Sequence, residues 1–119
     1  MKISKNNGQE YELWIQTAFG DFICDSYPLD LENTLYFENV DFFTLYAKNI
    51  FLSHEDKYSI YKTTDGYFSY KITGKYIGDN KIKIDTCVFH LDSQIPKDIE
   101  IGNFVSFEFL TSTCSIHNS

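Results

Sequence analysis

The chain contains no arginine: all ten of its basic residues are lysine. It therefore lacks the side chain whose rigid fork grips phosphates in pairs of hydrogen bonds. With 17 acids the formal net charge is −7, so nucleic acid is not the expected partner. No stretch approaches the roughly 20 continuous apolar residues of a membrane-crossing helix, and Met1 to Gly8 lacks the apolar run of a secretory signal. The expected compartment is the cytoplasm, with no membrane partner. Cysteine is scarce too: Cys24, Cys87 and Cys114 are an odd number without a close pair, which suits free thiols in a reducing compartment. Low-complexity linkers and internal repeats are absent, so the 119 residues read as one domain, 1–119.

The signatures of catalysis are also missing. There is no Gly-x-Ser-x-Gly elbow, and Gly74-Lys75-Tyr76-Ile77-Gly78 reads as a bent strand rather than a phosphate-cradling loop. In Cys87-Val88-Phe89-His90 the two ligand-type side chains would point to opposite faces of a strand and could not share a metal. His54 falls in a turn and His117 in the tail. No metal, cofactor or catalytic residue is expected, and the chain reads as a binding protein rather than an enzyme.

What is present is apolar alternation. Hydrophobic residues make up 43% of the chain and aromatics 18%, enough to offset the entropy of ordering it. Glu10 to Phe19 alternates as a strand, and Gly20-Asp21 turns it toward Phe22-Ile23-Cys24 as a hairpin. Leu35-Tyr36-Phe37 suits another strand. Residues 41–52 are open to two readings, a short buried helix starting at Asp41 or a further strand. Tyr58 to Lys62 and Tyr67 to Ile77 flank Asp65-Gly66, a strong hairpin signal, and Gly74 marks a bulge or bend in the longer strand. Lys81 to Leu91 reads as one strand with Ile82, Ile84, Thr86 and Val88 inward. Asp92 to Gly102 is a connector, Val105, Phe107 and Phe109 alternate in a last strand, and 111–119 is a polar tail expected to fray. The fold class is mainly β, or α+β if 41–52 is helical. The expected architecture is an antiparallel meander forming a small OB-like barrel or a sandwich.

Charge is unevenly distributed. Residues 1–56 carry ten acids against Lys2, Lys5 and Lys48, a net of −7, whereas residues 57–119 carry seven acids and seven lysines. An acidic region of this kind steers a basic protein toward it. The candidate protein-binding residues are Trp14, Asp21, Asp25, Tyr27, Asp30, Glu32, Tyr36, Glu38 and Asp41, aromatic anchors among carboxylates. In overall profile, acidic and without catalytic motifs, the chain resembles the immunity proteins of bacterial toxin-immunity systems. The resemblance implies neutralisation of one cognate toxin, commonly a basic nuclease, with these carboxylates standing where substrate phosphates would sit. The rival expectation is an OB-like single-stranded nucleic-acid-binding protein of a phage or mobile element, using Tyr67, Tyr70, Tyr76, Lys71, Lys75, Lys81 and Lys83.

Overall fold

Alternation of apolar and polar residues over short runs, punctuated by turn residues, gives a chain built almost wholly of strands. A computed structural model describes residues 1–28, 30–36 and 39–115. Among these residues there are twelve strands and no helix: β1 (Lys2–Lys5), β2 (Glu12–Thr17), β3 (Gly20–Asp25), β4 (Leu35–Tyr36), β5 (Val40–Leu45), β6 (Lys48–Leu52), β7 (Ser59–Lys62), β8 (Tyr70–Gly78), β9 (Lys81–Ile84), β10 (Cys87–His90), β11 (Phe104–Phe109) and β12 (Thr111–Ser115). Eleven of them follow the order β4-β1-β2-β3-β12-β5-β10-β9-β8-β11-β6, and β7 pairs with β8 off this path. The mainly β class stands. The sheet is single and mixed rather than a sandwich or an antiparallel meander, because β10 runs parallel to β5 and β12 parallel to β3.

The sheet curls without closing into a barrel. Its path ends at β4 and β6, and β7 comes against β3 through packing alone: Gly20 sits against Ile60, and the Phe19 and Tyr58 rings lie 4.7 Å apart. At this seam the Tyr70 hydroxyl accepts the Ile23 N–H at 3.0 Å, meeting a backbone donor that a ladder would otherwise have served. Inside the curl, Phe89 touches the rings of Phe22, Phe42, Phe107 and Phe109 at centroid distances of 5.2–5.7 Å. All five are fully buried, each contributing about 1.5–3 kcal/mol of apolar transfer.

Two expectations are corrected and one open reading is decided. Residues 41–52 take the strand alternative, as two strands, β5 and β6, with no helix between them. The turn joining them carries Tyr46 at φ 59° and is held by Asp92, far along the chain, whose carboxylate accepts the Tyr46 and Ala47 N–H groups at 2.8 and 2.9 Å and the Thr44 hydroxyl at 3.2 Å. Lys81 to Leu91 is a hairpin rather than one strand. Asp85, at φ 54°, starts its two-residue turn, and Cys87 lies opposite Ile84. A pair opposed across a hairpin shares a face, so the inward set passes from Ile82 and Ile84 to Cys87 and Phe89. The supposed frayed tail is, over Thr111–Ser115, the strand β12, seated between β3 and β5; residues 116–119 lie outside the described residues.

Asp92 links this fold to pH. Burial alone would raise its pKa, but the Ala47 and Tyr46 amides and the Thr44 hydroxyl outweigh that and hold the carboxyl below its ordinary value. A depressed folded-state pKa contributes stability that is complete above the unfolded value of about 4 and is lost as pH falls through the folded one. Asp92→Asn is therefore expected to lower Tm by roughly 4 °C at pH 7, a modest figure because the group is exposed. In thermal melts the gap to wild type closes by about pH 2; a gap independent of pH would show that the charge is not responsible.

Candidate functional site

In β2 and β3, Leu13, Ile15, Phe22 and Cys24 turn inward, which sends Glu12, Trp14, Gln16, Asp21, Ile23 and Asp25 to the other face. The ladder sets Glu12 opposite Asp25, Trp14 opposite Ile23 and Gln16 opposite Asp21. Beyond them β12 brings Thr113 opposite Asp25, and β5 brings Phe43 opposite Thr113 and Asp41 opposite Ser115. One outward face thus runs from β2 across β3 and β12 to β5. No lysine occurs in any of the four strands.

Like charges directly opposed across a ladder cost stability, and Glu12 faces Asp25. Each has neutral donors. The Glu12 carboxylate accepts the Asn6 side-chain amide at 2.7 Å and the Tyr67 hydroxyl at 3.1 Å, and Asp25 accepts the Tyr27 N–H at 3.0 Å. The bond to Glu12 raises the Tyr67 pKa, keeping that hydroxyl a donor. Asp41 meets His90 Nε2 at 2.9 Å, and the His90 ring stacks on Phe43 with centroids 4.5 Å apart. Between Tyr27 and Pro28 on one side and Phe43 on the other lies an open groove of about 540 Å³, floored by Thr113, Cys114 and Ser115. Tyr27 is 65% exposed and Phe43 47% exposed, and Tyr27 is steadied edge-on by Tyr11 at 5.0 Å.

Of the candidate residues, the structure places Trp14, Asp21, Asp25 and Asp41 on this outward face, and Tyr27 lines the groove. Asp30 and Glu32 are exposed on the connector after β3, where Asp30 is paired with Lys5 at 3.2 Å. Tyr36 falls on β4, three strands from β3 at the sheet edge and opposite Lys2, so it is not part of the groove. Glu38 lies outside the described residues. No protein family, curated protein or solved structure matches this chain.

Phe43 and His90 belong to the site but were not legible as such. Phe42 and Phe43 are adjacent in sequence, and only strand geometry decides which one turns outward. The three cysteines are buried and free, and burial pushes the Cys24 and Cys87 thiols up, which leaves them protonated and inert as nucleophiles. Among the described residues no group of three or more His, Cys, Asp or Glu side chains could hold a metal ion, and no helix is long and apolar enough to cross a membrane. Of the tyrosines in the nucleic-acid reading, Tyr70 is buried, Tyr76 packs against the core and Tyr67 bonds to Glu12, so they do not form a stacking surface with the lysines.

Proposed function

We propose that this chain is a cytoplasmic protein-binding module that docks a basic protein on the outward face of β2, β3, β12 and β5, and that it acts as an immunity protein covering a cationic toxin such as a nuclease. One observation supports this reading: Glu12, Asp21, Asp25 and Asp41 share with Trp14 and Phe43 the outward face of four strands that carry no lysine, and Tyr27 lines the same groove as Phe43. The carboxylates steer a cationic partner, and the exposed rings supply desolvated anchors near the centre of the contact. The Tyr27–Phe43 groove is shaped for a partner's lysine or arginine, its stem against the rings and its charge toward Asp25 and Asp41.

The test is capture from the native cell with immobilised wild type and with a Glu12→Gln, Asp25→Asn, Asp41→Asn variant. A basic protein is expected on the wild type only. Its association rate should fall about tenfold or more between 20 and 300 mM salt, since steering of this kind is screened within a Debye length. Capture of an acidic protein, or equal capture by the variant, would remove the basis of the reading.

A further inference from the structure

A second site is built where the curled sheet nearly meets itself, and it has the opposite chemistry. Lys75 on β8 and Lys83 on β9 stand directly opposite each other, and neither makes an ion pair among the described residues. Two cations in that relation repel, so the pair favours an anion between them. Around them lies a pocket of about 340 Å³ lined by Phe19, Tyr58, Lys75, Ile77, Lys83 and Asp85. Its walls are fixed. The Asp85 carboxylate accepts the Ala18 N–H at 3.0 Å, pinning the tip of the β2–β3 hairpin to the β9–β10 turn. Tyr58 joins Phe19, at 4.7 Å, to Phe104, at 4.9 Å, and the Lys75 ammonium lies 5.4 Å from the centre of the Phe104 ring.

An aromatic wall beside two ammonium groups without an ion pair, where the one carboxylate of the lining, Asp85, already accepts the Ala18 N–H, suits a ligand that joins a flat ring to a dianion. Independently of the acidic face, we propose that this seam pocket binds a nucleotide unit, with its phosphate between Lys75 and Lys83 and its base against Phe19 and Tyr58. The volume falls in the range of small-molecule pockets, and stacking on aromatic side chains tolerates any base. Lys71 projects from the same face of β8, two residues beyond Thr73, where a strand leaving the pocket would meet it. The local charge decides over the total of −7, because exposed charges further than about 8 Å away are screened at physiological salt. The unit has two sources, a free nucleotide or a single strand.

The experiment titrates the purified chain at about 0.15 M salt, where the distant carboxylates are screened, with adenosine monophosphate, inorganic phosphate and a fluorescent eight-residue oligothymidylate. Adenosine monophosphate is expected to bind at least tenfold more tightly than inorganic phosphate. Lys75→Ala with Lys83→Ala should weaken it tenfold or more while leaving Tm unchanged or higher, since the variant relieves repulsion. Phe19→Ala should weaken the nucleotide and not the phosphate. The Glu12→Gln, Asp25→Asn, Asp41→Asn variant should bind nucleotide as wild type does, so failure at this pocket is separable from failure at the acidic face. An oligonucleotide much tighter than the mononucleotide identifies a strand as the source, and equal affinities identify the free nucleotide. Absence of binding, phosphate as tight as the nucleotide, or indifference to the lysine variant would overturn the proposal.

Discussion

A chain ending at Leu110 is expected not to fold. The nine residues removed include β12, which pairs with β5 at all five of its positions and meets β3 through Thr113 and Asp25. In the strand order β12 is the one link between the β4-β1-β2-β3 portion and the rest of the sheet. Without it, β3 and β5 both present open edges, the buried Cys114 and Ser112 leave the inner face, and the two portions are joined only by packing at the β3–β7 seam and by isolated bonds such as Ile23 N–H to the Tyr70 hydroxyl and Ala18 N–H to Asp85. Five ladder positions between two neighbours carry several backbone hydrogen bonds at about 1 kcal/mol net each, and the lost apolar burial adds to that. The sum is comparable with the ~5–15 kcal/mol that holds a domain of this size together. Circular dichroism and amide dispersion in a two-dimensional NMR spectrum would show the loss. Thr113→Pro, which removes a ladder donor at the strand's centre, is expected to act the same way by about 3 kcal/mol or more. A truncated chain with a native spectrum and an unaltered melt would mean that β12 is an ornament rather than a link.

The same strand shows where reading a sequence stops. Thr111-Ser112-Thr113-Cys114-Ser115 has no large apolar side chain, so nothing in its composition separates a frayed end from a central strand. Its inward residues are the small Ser112 and Cys114, and Cys114 stands opposite the large ring of Phe42 on β5. By contrast, β2, β3, β7, β8 and β11 were legible, since each pairs with a near neighbour in sequence or alternates strongly by itself. The β9–β10 hairpin was hidden by a two-residue turn without glycine, and it reverses the parity of the inward set at Asp85-Thr86. The turn after β5 depends on a carboxylate from Asp92, a contact that no local pattern announces. The sequence places Asp21 in a turn and ends the strand at Cys24, whereas β3 runs from Gly20 to Asp25 and carries both aspartates on one face. That Asp41 and Phe43 should lie beside them follows from β12 inserting between β3 and β5, a pairing between residues far apart in the chain. The acidity of the first half was visible, but its division into a groove and a separate connector carrying Asp30 and Glu32 was not.

Gly74→Ala is expected to be the most damaging single change of one methyl group. One edge of β8 is taken by β11, whereas the other is shared, with β7 opposite Tyr70 to Thr73 and β9 opposite Lys75 to Gly78. Gly74 sits at the fork. A Cβ there would stand 2.7 Å from the Lys83 carbonyl oxygen and 2.9 Å from Ile82 Cγ2. The first of these is backbone held in the β8–β9 ladder, so relief requires opening that ladder rather than turning a side chain. Overpacking of this kind costs about 1–3 kcal/mol and sometimes more; the rigid neighbour puts Gly74 at the upper end, a fall in Tm of roughly 10 °C for a domain of this length. Gly102 supplies the contrast. Its φ of +95° favours glycine, yet a Cβ there meets nothing within 4 Å, so Gly102→Ala is expected to cost only about 1 kcal/mol of backbone strain. Urea denaturation of both variants separates the two causes. Equal losses would mean that β9 does not press on β8 at this point, and with that would go the close approach that sets Lys83 against Lys75.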